Sequence, residues 1–455
     1  MAMPERFDAI VIGTGQSGPA LARDMAGRGM KVAILERHKV GGTCVNTGCI
    51  PTKSLVASAR AAHVARRAHD FGVRIGGAVT VDMKAVKARM KEISGTSNSA
   101  VTRGLETTAN VTLIRGHGTF AGPDTVTVND RRLTAPKIFV NVGGRAERPD
   151  IEGLEDVPYL VNSTMLELDV LPRHLIVVGG SYIGLEFGQM YRRFGSEVTI
   201  VQRGPRLVPR EDEDVAEAIR EILEKERVQV KTGAECIAAE RKGDGVAVRV
   251  GKGGVVEGSH VLIAAGRVPN THDLGLDAAG VKTDDRGYIA VNDKLETNVP
   301  GVFALGDCNG RGAFTHTSYN DYEIVAANLF DGGSRKITDR IPAYALYIDP
   351  PLGRCGMTEK EARASGRKIL VGKYFMENVG RAFERSETDG FMKVVVDAAT
   401  ERILGAALLG IEGDEVMHTL LDLMYADAPY TVVTRAMHVH PTVSEYLPSL
   451  FQSLE

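Results

Sequence analysis

A short apolar run that leads into a glycine-rich loop occurs twice in this 455-residue chain. The first copy begins at Phe7 and passes through Gly13, Gly15 and Gly18 into an alanine-rich stretch, and the second begins at Leu175. A buried strand, a glycine loop and a helix in this order form a nucleotide-binding unit, because glycines let the backbone turn tightly and approach a pyrophosphate. The repeat therefore predicts two dinucleotide sites, one held permanently and one exchanging.

Each copy continues to a second strand that is followed by a polar residue at the same distance from the first glycine, Glu36 in one and Gln202 in the other. A carboxylate here accepts hydrogen bonds from ribose hydroxyls but repels a 2′-phosphate. Gln202 removes that repulsion, and Arg203 directly after it offers a cation for the phosphate, with Arg206 and Arg210 downstream. We therefore predict that the second site prefers NADPH, with NADH as the alternative.

Two cysteines, Cys44 and Cys49, lie close together at the start of a helical pattern in a chain that has only five cysteines. A structural zinc site would need a second closely spaced pair, whereas Cys236, Cys308 and Cys355 are isolated in the sequence. A disulfide that serves stability normally closes a longer loop and belongs to a secreted chain. A helix N-terminus lowers the pKa of a thiol, and a short bridge is easily reduced, so the pattern favours a redox-active pair.

Residues 41–54, GGTCVNTGCIPTKS, resemble the active-site motif of the class I pyridine nucleotide-disulfide oxidoreductases. This flavoprotein family includes dihydrolipoamide dehydrogenase, glutathione reductase and mercuric reductase. Residues 297–307 are similar to its second flavin motif, and residues 437–445 to its catalytic histidine motif. The resemblance covers the whole chain, and residues 314–322 are most similar to mercuric reductase-like proteins and reactive-chlorine-resistance flavoproteins.

The resemblance implies an α/β fold with two Rossmann-like dinucleotide-binding domains, one for FAD and one for NAD(P), and a C-terminal α+β dimerisation domain. The implied FAD-binding domain comprises residues 1–150 and 271–339, and the implied NAD(P)-binding domain comprises residues 151–270. Residues 340–455 then form the dimerisation domain. A homodimer with shared active sites is the expected assembly.

The resemblance also implies roles for the reactive residues. Cys49 is expected to lie against the flavin as the charge-transfer thiolate, and Cys44 is expected to meet the substrate. His440 would act as acid and base for the exchanging thiol, and Glu445 would fix its tautomer and raise its basicity.

Further residues match cofactor contacts of the family. Lys53 and Glu186 match residues that pair near the flavin N5 atom, with an ordinary place on a helix surface as the alternative for each. Tyr182 matches the aromatic residue that covers the empty nicotinamide site in glutathione reductase, with core packing as its alternative role. Asn141 stands where the family has an alanine-threonine-glycine motif, which is a departure. The expected FAD-binding residues are Gly13, Gly15, Gly18, Glu36, Gly42, Thr43, Lys53, Gly143 and Asp307. The expected NAD(P)-binding residues are Gly179, Tyr182, Gly184, Gln202, Arg203 and Gly266, and no metal ligand is predicted.

Composition and charge narrow the choice of partners and compartment. The net charge of −3 gives no reason to expect nucleic acid or a membrane surface as a partner. The N-terminal residues pass into an apolar strand without the pattern of a signal peptide, and no apolar run has membrane-spanning length. We therefore predict a cytoplasmic protein, because reducing conditions suit unpaired cysteines.

The sequence is compatible with several electron acceptors. A small disulfide, a quinone or a metal ion such as cupric ion fits the class, and dihydrolipoamide dehydrogenase, glutathione reductase and mercuric reductase are alternatives within it. Mercuric ion requires soft thiolate ligands, and residues 446–455 contain no cysteine, so poor turnover of mercuric ion is expected. The alternative from a different functional class is a flavin-bound protein without catalytic activity, whose thiol pair senses the redox state.

Overall fold

The computed structural model describes residues 3–251 and 254–455, which divide into two compact units. The first unit contains the described residues up to Ser54 together with Lys87–Glu147 and Gly266–Arg340. The second unit contains Leu55–Val86, Arg148–Ala265 and Ile341–Glu455. The finer division into FAD, NAD(P) and dimerisation domains stays a prediction.

The first unit is built on a parallel five-stranded sheet. Its spatial order is Val302–Ala304, Ile138–Val140, Ala9–Ile12, Val32–Glu36 and Val111–Arg115. Both faces of such a sheet are covered, which explains the nearly continuous apolar runs in the sequence. Ile10 and Ile138 pack into the core on one face, and Val11 and Phe139 pack into the core on the other. The strand Val302–Ala304 comes from chain that follows the second glycine loop, so both parts of the predicted FAD-binding domain contribute to one sheet.

Helices and two smaller ladders complete the first unit. Its α-helices are Ser17–Gly27, Gly42–Asn46, Leu276–Ala279 and Thr315–Phe330, and Cys49–Arg66 and Met83–Thr107 continue across the division between the units. A four-stranded sheet has the order Glu5–Arg6, Arg131–Thr134, Thr125–Val128 and Gly118–Gly122. Gly144–Ala146 pairs antiparallel with Arg267–Pro269. The 3₁₀ helices of this unit are Gly306–Asn309 and Ile337–Asp339.

The helix after the cysteine motif begins at Cys49, earlier than the Ser54 start suggested by the apolar periodicity. The amide of Thr52 already donates a hydrogen bond of 3.0 Å to the carbonyl oxygen of Gly48. Pro51 lies in the first turn, where a missing amide hydrogen costs no intrahelical bond. Cys49 is therefore at the N-terminal end of a helix that extends to Arg66.

The nucleotide part of the second unit also has a parallel sheet. Its order is Gln229–Lys231, Glu197–Val201, His174–Val178 and His260–Ile263. The helices of this part are Asn162–Met165, Tyr182–Phe194 and Glu213–Lys225, with the 3₁₀ helix Leu154–Asp156. Tyr182–Phe194 directly follows the second glycine loop, as the repeat predicted. A three-stranded antiparallel sheet, which we did not predict, comprises Cys236–Lys242, Gly245–Val250 and Gly254–Gly258.

The C-terminal part of the second unit is an antiparallel five-stranded sheet with helices. Its order is Ala343–Leu346, Leu352–Gly356, Ile403–Leu409, Phe391–Asp397 and Ile369–Phe375. The helices are Glu359–Ala364, Gly380–Glu384, Gly413–Tyr425, Thr431–Arg435 and Leu447–Gln452. Further 3₁₀ helices of the second unit are Ala68–Phe71, Met376–Asn378 and Ser444–Tyr446.

Two parallel nucleotide sheets and a C-terminal mixed domain are the architecture expected from the sequence, so the predicted fold class is confirmed. Among the helices of residues 3–251 and 254–455, none combines the length and the apolar character needed to span a bilayer.

Candidate active site

A cavity of about 520 Å³ opens in the first unit where the parallel strands end. Carboxyl ends of parallel strands are the usual place for a dinucleotide in this kind of sheet. Six of the residues predicted to bind FAD line the cavity: Gly13, Gly15, Glu36, Gly42, Thr43 and Gly143. Gly18, Lys53 and Asp307 are not among its lining residues.

The glycines of the first loop permit a backbone approach that a side chain would block. Gly42 has a φ of +63°, and a Cβ atom there would lie 2.8 Å from the Cα atom of Gly15. A Cβ atom on Gly15 would in turn lie 2.8 Å from the side-chain oxygen of Asn141. Glycine at these two positions therefore lets the first loop pack closely against Asn141 and against the segment that carries Gly42.

Glu36 is held at the end of its strand by hydrogen bonds from the first glycine loop. Its Oε2 atom accepts hydrogen bonds from the amide of Thr14 at 3.2 Å and from the Thr14 hydroxyl at 2.5 Å. Its Oε1 atom accepts one from the amide of His38 at 2.8 Å. The carboxylate thus lies beside the loop on the wall of the cavity, where the dinucleotide fingerprint places the ribose acceptor. The cavity, the first glycine loop and the Glu36 carboxylate together fit bound FAD.

Asn141 links three parts of this site, and the sequence did not assign it a role. Its Oδ1 atom accepts a hydrogen bond of 3.1 Å from the amide of Gly18, and its Nδ2 atom donates one of 2.9 Å to the carbonyl oxygen of Leu305. The residue is only 4% exposed. The departure from the alanine-threonine-glycine motif marked this position, but a single sequence could not reveal the contacts.

Asp307 lies just beyond the strand Val302–Ala304, in the predicted second flavin motif. Its Oδ2 atom is 3.4 Å from the Nη2 atom of Arg267. Burial raises the pKa of Asp307 above its usual range, and the Arg267 charge opposes this effect. The neighbouring amide of Gly306 donates a hydrogen bond of 2.7 Å to the buried carboxylate of Asp321, which also pairs with Arg340. Asp321 therefore supports the backbone that carries Asp307.

Cys44 and Cys49 are both free thiols, on consecutive helices of the first unit. Cys49 is exposed, Cys44 is half-buried, and the two thiols share a hydrogen bond. That bond, with smaller contributions from Thr315 and the Lys53 charge, lowers the pKa of Cys49 to about 6. The pKa of Cys44 is raised by the same bond and by burial. Of the two sulfur atoms, that of Cys49 is therefore the one that ionises more readily.

Thr315 is a second site residue that the sequence did not identify. Its hydroxyl oxygen lies 3.0 Å from the Sγ atom of Cys49. The residue begins the helix Thr315–Phe330, within the segment that resembles mercuric reductase-like proteins. That resemblance was the available signal, but it did not assign this hydroxyl to a thiol.

The second glycine loop repeats the geometry of the first. The Oε1 atom of Gln202 accepts a hydrogen bond of 2.9 Å from the amide of Gly180, the position equivalent to Thr14. A Cβ atom on Gly184 would meet the carbonyl oxygen of Gly179, so close packing of strand and helix again requires glycine. Arg203 has an 81% exposed side chain and lies 3.8 Å from Glu235.

Tyr182 is tied to a buried carboxylate in the second unit. Its hydroxyl donates a hydrogen bond of 3.0 Å to Oε1 of Glu211, which also accepts one of 2.7 Å from Tyr344. The two tyrosine rings meet edge to face with centroids 5.6 Å apart. Burial, followed by the Glu211 charge, raises the pKa of Tyr182. Gly266 is the first residue past the division between the units, and the backbone of Ala264 and Ala265 just before it approaches Gly179.

His440 and Glu445 form the pair that the resemblance to the family's histidine motif implies. The Nδ1 atom of His440 lies 3.0 Å from both carboxylate oxygens of Glu445. The His440 side chain is 76% exposed, whereas that of Glu445 is 17% exposed. Glu186 is buried in the same unit, and its Oε1 atom accepts a hydrogen bond of 3.0 Å from the amide of Tyr347.

Two nucleotide-binding sheets and a thiol pair with one acidic sulfur define an oxidoreductase that combines dinucleotides with thiol chemistry. Comparison with known proteins names the family. Residues 7–321 match the pyridine nucleotide-disulphide oxidoreductase model, and residues 342–450 match the dimerisation domain of the same family. The chain therefore belongs to the FAD-dependent pyridine nucleotide-disulphide oxidoreductases, which confirms the predicted resemblance. As an oxidoreductase it is an enzyme, which argues against the non-catalytic sensor.

Several relatives match almost end to end. Dihydrolipoyl dehydrogenase of Thermus scotoductus is 35% identical, over 98% of this chain and 97% of its own length. The probable pyridine nucleotide-disulfide oxidoreductase RclA of Escherichia coli is 34% identical, over 98% and 99%. The solved structure of that HOCl-induced flavoprotein disulfide reductase has a TM-score of 0.90 at 33% identity, covering 98% of this chain and 99% of the other. Mercuric reductase of Bacillus cereus is 31% identical, over 95% of this chain and 70% of its own length.

Proposed function

We propose that this enzyme uses NADPH to reduce the Cys44–Cys49 disulfide, and that the reduced pair then passes two electrons to a small acceptor. The observation that carries this proposal is the thiol pair: Cys44 and Cys49 share a hydrogen bond, Cys49 begins a helix, and the Thr315 hydroxyl lies 3.0 Å from its sulfur atom. Bound FAD would supply the hydride and electron-pair chemistry that links the nicotinamide to this disulfide. Gly13, Gly15, Glu36, Gly42, Thr43 and Gly143 would hold it.

The two thiols would have different tasks. Cys49 holds a stable negative charge, which its hydrogen bonds and the Lys53 cation support. Cys44 keeps its proton at neutral pH and so needs a base before it can attack an acceptor. We assign that base to His440, because Glu445 lies 3.0 Å from its Nδ1 atom and so leaves Nε2 as the nitrogen that can take up a proton.

The base would come from a second copy of the chain. Residues 342–450 match a dimerisation domain, and His440 lies within them. We propose a homodimer in which His440 and Glu445 of one chain serve Cys44 and Cys49 of the other. Lys53 and Glu186 would act beside the flavin, as the resemblance implies. Reducing conditions suit the unpaired thiols, so we propose a cytoplasmic enzyme.

NADPH is the proposed donor because the second nucleotide site presents no carboxylate at its ribose position. Gln202 makes the same amide contact as Glu36 without its negative charge. Arg203 is 81% exposed, which leaves it accessible to a 2′-phosphate. Tyr182, held by Glu211, would cover the nicotinamide site until the nucleotide binds.

A small disulfide, a quinone or a metal ion such as cupric ion is the proposed acceptor class. The RclA protein of Escherichia coli, one of the relatives, has been solved as a Cu(II) complex. A panel of these acceptors, assayed with NADPH and with NADH on the FAD-loaded enzyme, tests the proposal. We expect NADPH oxidation that requires Cys44 and Cys49. Turnover unaffected by Cys44→Ser would contradict it.

A further inference from the structure

Equivalent arginines follow the ribose position in the two nucleotide repeats, but their surroundings differ. Arg37 comes directly after Glu36, and Arg203 directly after Gln202. The Nη1 atom of Arg37 lies 2.6 Å from Oδ2 of Asp273, with the two side chains 30% and 35% exposed. Arg203 is 81% exposed, and its ion pair with the 58% exposed Glu235 is longer, with Nη1 and Oε1 3.8 Å apart. One arginine is therefore neutralised in a partly buried pair, and the other projects into solvent.

Asp273 joins Arg37 to a third segment of the first unit. The Nε2 atom of His117 lies 2.9 Å from the backbone oxygen of Asp273 and 3.6 Å from its Oδ2 atom. Burial would raise the pKa of Asp273, but the hydrogen bond from Arg37, together with the charges of Arg37, His117 and His272, holds the pKa below the usual range. The carboxylate is therefore ionised at neutral pH and binds the cation beside it.

Arg37 and His117 belong to the wall of the FAD cavity, and Asp273 directly precedes a residue of that wall. Arg37, His117 and Leu274 all line it, together with Glu36. In the dinucleotide fingerprint this carboxylate marks the ribose of the adenosine half. The segments that carry Arg37, His117 and Asp273 are thus tied to one another beside the place where that half would bind.

We propose that Arg37, Asp273 and His117 form an adenosine clasp that retains FAD as a non-exchanging group, whereas the unclasped Arg203 leaves the second nucleotide free to exchange. The proposal rests on the assignment of the first cavity to FAD. The pairing has a second consequence, because a neutralised Arg37 offers little attraction to a 2′-phosphate, which FAD lacks. The three residues position the cofactor and take no part in the chemistry.

The rate of FAD release from the purified holoenzyme tests the clasp. Release is followed by the rise in flavin fluorescence after dilution, in wild type, Asp273→Asn, Arg37→Ala and the double variant. Since a hydrogen bond to a charged group is lost, each single change should accelerate release about tenfold. The double variant should release FAD no faster than the singles, because both remove the same contact. Asp285→Asn, an exposed acid of the same unit, is the matched control and should release FAD at the wild-type rate.

Wild-type release rates in both single variants, or fully additive effects in the double variant, would overturn the clasp. Wild-type protein that binds no FAD would instead contradict the proposed function, so the two failures are distinguishable. If Asp273→Asn is insoluble, Arg37→Gln leaves the carboxylate in place and is tested alone: faster release supports the clasp, and unchanged release overturns it.

Discussion

The hydroxyl oxygen of Thr315 lies 3.0 Å from the Sγ atom of Cys49. A hydroxyl that donates to a thiolate stabilises the charged form and lowers the pKa of the thiol. Thr315 is the first residue of its helix, so its position is set by the same backbone that supports Ser318 against the first glycine loop. The acidity of Cys49 therefore depends on residues far from the cysteine motif.

Replacing Thr315 by valine should raise the pKa of Cys49 from about 6 by roughly 1, because one hydrogen bond to the thiolate is lost. The pKa is measured from thiolate absorbance in the reduced enzyme as a function of pH. The signal should disappear as the pH falls through the pKa, since protonation removes the charge. Thr315→Ser keeps the hydroxyl and should titrate like wild type. Identical titrations for Thr315→Val and wild type would remove this residue from the site.

The two thiols should be distinguishable by absorption. Two-electron reduction of the yellow holoenzyme is expected to produce a long-wavelength thiolate-to-flavin band. Cys49→Ser should abolish it, whereas Cys44→Ser should show it even in the oxidised enzyme, because Cys49 then cannot form the disulfide and Thr315 and the Lys53 charge still favour its thiolate. The reverse pattern would mean that the roles of Cys44 and Cys49 are exchanged.

Mixed dimers test the shared active site. A Cys44→Ser chain and a His440→Ala chain should each be nearly inactive as homodimers. Their heterodimer would contain one site with Cys44 and His440 both intact, so about half of the wild-type activity per dimer is expected. Dimers of two Cys44→Ser chains are the control. An inactive heterodimer of verified composition would argue against sharing between chains.

Arg203→Ala should raise the KM for NADPH about tenfold and leave that for NADH nearly unchanged, because a charge-assisted bond to the 2′-phosphate is lost. Arg173→Ala is a matched control, since its side chain is 79% exposed in the same unit. Steady-state kinetics with both nucleotides provide the measurement. A higher kcat/KM for NADH than for NADPH in wild type would refute the proposed preference.

Mercuric ion should be a poor acceptor. Cys308 and Cys355 have no exposed surface, as expected of small buried residues, so they cannot bind a soft ion arriving from solvent. NADPH oxidation with mercuric ion in excess thiol should therefore run well below the rate with the best acceptor of the panel. Cys236→Ser, which changes the half-buried remaining cysteine, should leave both rates unchanged. Comparable turnover of mercuric ion would show that further thiols are dispensable.

Local sequence patterns were sufficient to predict much of the fold and part of the candidate active site. The strand, the glycine loop and the helix could be predicted in both repeats, because each depends on residues that are neighbours in the chain. The pairing of Cys44 with Cys49 was predictable for the same reason, since five positions separate them. The pairing of His440 with Glu445 was expected from the resemblance to the family's histidine motif. The early start of the helix at Cys49 was missed, because apolar periodicity does not report the first turn.

The sequence by itself thus determined the two nucleotide folds, the thiol pair and the histidine-carboxylate pair. Only the tertiary structure brought Asn141 to Gly18, Thr315 to Cys49 and Asp273 to Arg37. Asparagine, threonine and aspartate are common in loops and at helix ends, so residue type does not identify a partner. The partners of Cys49 and Arg37 lie 266 and 236 positions away. Later chain returns to the parallel sheet of the first unit through the strand Val302–Ala304, and the segment of Asp273 returns through a backbone hydrogen bond from Phe120 to Leu274. The strand order of that sheet therefore decided which side chains surround the thiols and the cofactor cavity.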